Sequence, residues 1–312
     1  MRIVLLGATG FVGHHLLPRL SGAGHDCVAL SRYLMSCREL SIIPRVELRQ
    51  TDVYDSEKLA AHLRGADAVV NMVGILNERG RRGKGFHKAH VELAERVIDA
   101  CRAAGVGRLV QVSALHAGTG KSHYLKSKGE AEERIRQATD IASTILQPSV
   151  IFGAGDSFFN RFADLLRIAP IFPLACPDAR LQPVWVGDVV AMVDAALVEE
   201  STVGETLVLV GPKDYSLREL VEFTARTIGR EPRILGLPDA VSRLQAWLMD
   251  FVPGKPFSTD NYLSLQTDNT SEDNSLPRFG IKPRSIEGIV PGYLGASPRQ
   301  RRLDECRRRA CH

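Results

Sequence analysis

The chain lacks an apolar run of the roughly 18 residues that a membrane-spanning helix needs, and the 312 residues show no internal repeat. It does not open on a charged leader, an apolar core and a small-residue cleavage site, so no secretory signal is read and a cytoplasmic location is expected. The six cysteines, at 27, 37, 101, 176, 306 and 311, share no repeated short spacing. Cys27 and Cys101 lie in apolar strand or helix patterns and read as reduced core residues. Cys306, Cys311 and His312 gather metal-type ligands near the end of the chain, but no fourth ligand accompanies them, so no metal is expected. The body also lacks net charge. From Arg299 onward six arginines face Asp304 and Glu305, a surplus equal to the whole chain's formal +4. That basic tail has no interleaved aromatics for base stacking, so nucleic acid is not an expected partner. It reads as a solvated end, or as a segment for anionic lipid.

What is present begins at Ile3. Ile3 to Leu6 is a short apolar run stopped by Gly7, which reads as a buried strand. Gly7, Gly10 and Gly13 follow at three-residue spacing, and Gly13 opens an apolar helical stretch through Leu16, Leu17 and Leu20. Strand, glycine turn and helix in that order form a phosphate cradle. A side chain in the turn would hold a pyrophosphate off the backbone, and the helix start supplies free N–H groups and partial positive charge. A dinucleotide is the expected ligand.

A second strand, Asp26 to Leu30, ends in Ser31-Arg32. An acidic residue at that point would take both ribose hydroxyls, whereas a cation and a small hydroxyl suit a 2′-phosphate, so NADP(H) is favoured over NAD(H). Val46 to Gln50 makes a third strand. Asp52, just past it, either receives an adenine amino group or caps the turn before a helix from about Ser56 to Leu63. A fourth strand, Ala68 to Met72, runs into Val73-Gly74, where glycine permits close approach of a ligand. A polar loop from Arg79 to Gly85 precedes an amphipathic helix from about His87 to Ala104, bearing Val91, Leu93, Ala94, Val97, Ile98 and Cys101. A fifth strand, Leu109 to Val112, ends at Ser113. This alternation specifies an α/β fold with a doubly wound parallel sheet and its ligand at the strands' carboxyl ends.

Tyr124 and Lys128 lie four apart and share a helix face. The ammonium, with a nicotinamide cation, would favour the phenolate, which could exchange a proton with a substrate hydroxyl or carbonyl. Farther on, Asp188 reads as the N-cap of a helix to Val198. Ser216 and Glu219 form a capping box. Val241, Leu244, Trp247, Leu248 and Phe251 make an apolar stripe, read as a lid or core-facing helix, or as a docking surface for a membrane complex or bilayer.

With Gly7-Ala8-Thr9-Gly10-Phe11-Val12-Gly13, Asp52, Asn71-Met72-Val73-Gly74, Tyr124 to Lys128 and Gln182 to Val189, the chain resembles the short-chain dehydrogenase/reductase superfamily. The likeness is to its extended or atypical branch, similar to NAD-dependent epimerases and dehydratases. Val73 to Leu76, Ser113 to Leu115 and Pro148 to Gly153 resemble the nucleotide-binding accessory subunits of respiratory complex I and their bacterial relatives. The resemblance implies a Rossmann fold, with residues 1–152 binding NAD(P), 153–296 forming a smaller α/β subdomain for substrate or partner, and 297–312 a basic tail. It implies cofactor contacts at Gly7, Thr9, Gly10, Phe11, Val12, Gly13, Ser31, Arg32, Asp52, Val53, Val73, Gly74, Lys128, Pro148 and Val150. It implies catalytic roles for Tyr124, Lys128 and Ser113. Active members of the superfamily place a serine or threonine well upstream of the tyrosine. Here Ser113 lies only eleven residues before it, with Thr119 and Ser122 as alternative hydroxyls, so the trio is incomplete on paper. Two functions stay open: a dinucleotide-binding subunit, peripheral to a membrane complex or linked to ubiquinone, and an active NADP-dependent oxidoreductase, epimerase or dehydratase.

Overall fold

The computed structural model describes the backbone of residues 1–295 except 34, 79, 81, 254 and 256, and the side chains likewise except those of 35–38. The basic segment 297–312, with Cys306, Cys311 and His312, lies outside the described residues, as do Arg79 and the side chain of Cys37.

Six strands follow one another through the first half of the chain: β1 (Arg2–Leu6), β2 (Asp26–Ser31), β3 (Val46–Gln50), β4 (Ala68–Asn71), β5 (Arg108–Val112) and β6 (Ala142–Pro148). A seventh, Thr206–Leu209, arrives later and pairs with β6. Across the sheet the order is Thr206–Leu209, β6, β5, β4, β1, β2, β3, and every pairing is parallel. Parallel strands covered on both faces must be apolar throughout, which is why β1 and β4 read as continuous runs and are buried nearly end to end. On one face α1 (Phe11–Gly22) packs Leu16, Leu17 and Leu20 against the helix Val186–Val198. The other face carries α2 (Ser56–Leu63), then α3 (Lys84–His87), a wide π-turn at Lys88–Glu92 and α4 (Leu93–Ala104), and finally α5 (His123–Gln137).

The strand order reverses between β1 and β4. Connections on either side of that point run to opposite faces, leaving a crevice above the carboxyl ends of these two strands. A separate apolar cluster, built on Phe152, Phe159, Leu166, Leu220, Val221, Ile286 and Val290, joins the helices Phe158–Ile168, Leu217–Thr227 and Ile286–Leu294.

Two expectations change and one set of alternatives narrows. The helix expected from His87 begins at Lys84, and the π-turn at Lys88–Glu92 interrupts its register. Asp188 is not an N-cap: the helix starts at Val186, and the buried Asp188 carboxylate instead accepts the Arg284 N–H at 2.9 Å. The apolar stripe on the helix Asp239–Met249 does not face a core. That helix buries Ser242 and Ala246, while Val241, Leu244, Trp247, Leu248 and Phe251 lie on the outside. Periodicity predicted the stripe correctly; what it packs against is a tertiary matter. The Ser216–Glu219 capping box forms as expected. Among the described residues no helix is long and apolar enough to cross a membrane.

Candidate functional site

The site lies along the crevice, and its two ends are built differently. At the glycine turn the constraints are backbone ones. Gly7 has φ +79°, a region that favours glycine, and a Cβ there would stand 3.0 Å from Met72 C and Val73 N. A Cβ on Gly13 would stand 2.1 Å from the Ala8 oxygen, so glycine alone lets α1 close on the turn. Gly10 is the N-cap of α1 with no side chain capping it, leaving the helix start to backbone N–H groups. Thr9, Phe11 and Val12 are partly buried around it, and the Phe11 ring meets His15 edge-on at 5.3 Å. His15 Nε2 in turn lies 3.0 Å from the Ala154 oxygen, which ties α1 to the loop after Phe152. A turn this close to the strand ends, with no room for side chains, fits a dinucleotide pyrophosphate.

Toward β2 and β3 the side chains have mixed commitments. The Ser31 hydroxyl bonds to the Tyr33 backbone at 3.1 Å, so it shapes the turn. Arg32 is exposed just past the end of β2. Asp52 is exposed, and its Oδ1 accepts the Tyr54 N–H at 3.0 Å; the turn-capping alternative is the one formed. Val53 packs partly buried beside it.

The other end is made of side chains. Lys128 is buried on α5, donates to the Val112 carbonyl at 3.2 Å, and its Nζ lies 3.4 Å from where a Gly74 Cβ would stand. Burial lowers its pKa to about 8, with Glu132 opposing the shift. Tyr124 lies one turn earlier and meets the rings of Phe86 and His90 edge-on, with centroids 6.0 and 5.6 Å away. Burial pushes its phenol up to about 12, and the lowering expected from the sequence needs a nicotinamide cation beside it as well as the ammonium.

Of the three candidate hydroxyls, Thr119 donates to the His116 carbonyl and Ser122 caps α5 by accepting the Leu125 N–H. Ser113 Oγ is buried at the carboxyl end of β5 with no hydrogen-bond partner among the described residues. Ser113 was the expected member with Thr119 and Ser122 as alternatives, and their partners separate the three. Pro148 is buried at the end of β6, its carbonyl receiving the Leu115 N–H. The Val150 N–H is held by Asn269. Val73 is partly buried, and Gly74 is exposed between it and Ile75.

Several residues that shape this end were not singled out from the sequence. Asp260 accepts the N–H groups of His123 and Tyr124 at 2.6 and 3.1 Å, fixing the start of α5 from 137 and 136 residues away. His90 is buried beside Tyr124. Its one sequence signal is position: it lies four and seven residues before Ala94 and Val97, on a face where an apolar residue belongs. Among the described residues no cluster of His, Cys, Asp and Glu could hold a metal ion.

Comparison with known proteins agrees with this geometry. Residues 7–155 match the model of an NAD(P)H-binding family. The chain is 30% identical to the mitochondrial NADH dehydrogenase [ubiquinone] 1 alpha subcomplex subunit 9 of Arabidopsis thaliana, over 93% of this chain and 76% of that protein. It is 29% identical to a ceramide reductase of Caulobacter vibrioides, over 76% and 74%. The fold superposes on an NADPH-dependent quinone oxidoreductase of Escherichia coli with a TM-score of 0.74, at 19% identity, covering 95% of this chain and all of that one. With a Rossmann sheet, a glycine cradle at its switch point and these relatives, the chain belongs to the family of the mitochondrial NADH dehydrogenase [ubiquinone] 1 alpha subcomplex subunit 9, with an NAD(P)H-binding N-terminal half.

Proposed function

We propose that the protein holds NADP(H) as a standing ligand and acts as a subunit of, or an accessory to, a membrane respiratory complex, in a role linked to quinone reduction. The observation that carries this reading is the glycine cradle, complete at Gly7 and Gly13 where a Cβ would collide with backbone, in a chain 30% identical over 93% of its length to a mitochondrial NADH dehydrogenase subunit. Gly7, Gly10 and Gly13, with the turn residues Thr9, Phe11 and Val12, would hold the pyrophosphate. Ser31, Arg32, Asp52 and Val53 would line the adenosine end, Arg32 taking the 2′-phosphate. Val73, Gly74, Lys128, Pro148 and Val150 would border the nicotinamide ribose and ring. A ligand that binds the folded state alone stabilises it by mass action, so such a nucleotide serves structure without turnover. On this reading residues 1–152 carry the nucleotide and 153–296 carry the partner side. The outward stripe of the helix Asp239–Met249 then has an occupant, an apolar surface of the respiratory complex.

A second reading, turnover of a carbonyl substrate, is favoured by one observation: the Ser113 hydroxyl is buried at the strand end with no partner among the described residues. In that case the bound dinucleotide would supply hydride, Ser113 and Tyr124 would hold the substrate oxygen, and Lys128 would ease proton loss from the phenol.

Mass spectrometry and fluorescence of the protein as purified, followed by a hydride-transfer assay with quinones and nucleotide sugars, test the two readings. The expected result is retained NADPH that no acceptor oxidises. Rapid oxidation that disappears in Tyr124→Phe would make the protein an enzyme. For the 2′-phosphate, Arg32→Asp is expected to weaken NADPH binding about tenfold while leaving NADH within about twofold, roughly the value of one exposed charge-assisted contact. Equal NADPH affinity in this variant would remove the NADP(H) preference.

A further inference from the structure

Two chains of hydrogen bonds run through the interior between the loop after β4 and helix α5. In the first, the Val73 N–H donates to Asn71 Oδ1 at 3.2 Å and Asn71 Nδ2 donates to Gln111 Oε1 at 2.9 Å. Gln111 Nε2 then donates to the Val112 carbonyl at 3.0 Å, the same oxygen that receives Lys128 Nζ. In the second, the Ile75 N–H meets His90 Nε2 at 3.3 Å, and His90 Nδ1 lies 2.8 Å from Ser127 Oγ. The Ser127 hydroxyl donates to the Tyr124 carbonyl at 2.9 Å.

The donors fix the direction of the second chain. A backbone N–H can only donate, so His90 Nε2 must be the acceptor and Nδ1 must carry the proton. Ser127 Oγ accepts that proton and has its own left for Tyr124. Only neutral His90 closes the chain, since an imidazolium would set two N–H groups against each other at Ile75. Burial and the Lys128 charge act in the same sense, holding His90 down to about 2. The π-turn serves the same end. It turns Ala89, His90 and Val91 inward in succession, bringing a polar ring onto a face that otherwise buries apolar residues, and such wide turns recur at functional sites.

We infer that His90 is a positioning residue: through Ile75 and Ser127 it sets the spacing between the Gly74 loop and the Tyr124–Lys128 face that together border the nicotinamide end of the crevice. This rests on the dinucleotide reading above. It also goes beyond it, because it divides the site into an adenosine end whose shape does not depend on His90 and a nicotinamide end whose shape does.

The division is measurable. His90→Phe keeps a ring against Phe86 and Tyr124 but breaks both hydrogen bonds, and His90→Gln keeps an acceptor and a donor. Titrations compare NADPH with 2′,5′-ADP, which occupies only the adenosine end. His90→Phe is expected to weaken NADPH about tenfold and leave 2′,5′-ADP within about twofold, with His90→Gln recovering part of the loss. Unchanged NADPH affinity, or equal losses for both ligands, would overturn the inference, the second because it is what general destabilisation gives. Amide hydrogen exchange of the ligand-free protein decides the same point separately. The Ile75 N–H should exchange at least tenfold faster in His90→Phe while the amides of β1 and β5 are unchanged, and an unchanged Ile75 rate would sink the inference. If the wild type bound no dinucleotide, the functional reading would fall, yet Ile75 exchange would still report whether His90 holds the loop.

Discussion

The glycine turn and the Tyr124–Lys128 end differ in how they are kept in shape. At the turn, shape follows from what is missing: Gly7 and Gly13 leave no Cβ, so neighbouring backbones close to distances any other residue would forbid. At the other end, shape follows from what is paired. Lys128, Ser127, His90, Asn71 and Gln111 each satisfy a specific partner, and Asp260 holds the helix start from far along the chain. The first kind of site is local and steric, with a single way to fail. The second is distributed, and its parts carry charge, so it answers to pH.

The largest expected effect breaks the steric end. Gly13→Ala sets a methyl 2.1 Å from the Ala8 oxygen, and α1 cannot move away without unpacking Leu16, Leu17 and Leu20. A loss of about 3 kcal/mol in chemical denaturation is expected, with NADPH binding lost alongside. If the variant were as stable as the wild type and still bound NADPH, the turn would not be sterically determined.

Next comes the charged end. Lys128 titrates at about 8 in the fold against 10.5 ordinarily, so between those values the unfolded chain binds more protons than the folded one. Stability should therefore rise with pH across that window, by at most about 1.4 kcal/mol per pH unit. Lys128→Met should remove that rise. It should also be at least as stable as the wild type near neutrality, because it no longer buries an ammonium, while binding NADPH more weakly. Denaturation at pH 7 and pH 9.5 checks the first, titration the second. A methionine variant with the wild-type pH slope would mean that the burial of Lys128 does not set its protonation.

The smallest effect sharpens the contrast. Ser113→Ala removes a buried hydroxyl that has no partner among the described residues. Thermal unfolding should show no loss, and a gain of up to about 1 kcal/mol is expected. Losing stability instead would show that Ser113 has a structural partner.

The same contrast explains how far the sequence could be read. Gly7, Gly10 and Gly13 were legible because their requirement is local, and the strand–turn–helix order supplied the context. The parallel sheet was legible because its central strands, covered on both faces, read as nearly continuous apolar runs, whereas the edge strand β3 is polar and partly exposed. Asp188 was misread because an acid in a helix's first turn looks like a cap until its true acceptor role toward Arg284, 96 residues on, is known. The stripe around Trp247 showed the correct period but not its surroundings. His90 and Asp260 were missed for the same reason: each acts through a partner far away in the chain, and no spacing rule encodes such a pairing. Burial raises the Tyr124 phenol, a desolvation that the four-residue spacing to Lys128 could not show.

The strand Thr206–Leu209 carries a consequence for synthesis. It completes the central sheet by pairing with β6, and Arg108 of β5 is held from the same late segment through the Ala196 carbonyl and Thr202. The nucleotide-binding half therefore cannot close when its own last strand leaves the ribosome. Roughly sixty more residues, from Pro148 to Leu209, must emerge before β6 is covered. Until then the nascent chain presents an unpaired parallel edge, the kind of surface on which newly made chains associate. Chaperone capture during translation, rather than the stability of the finished molecule, is where this late strand would make itself felt.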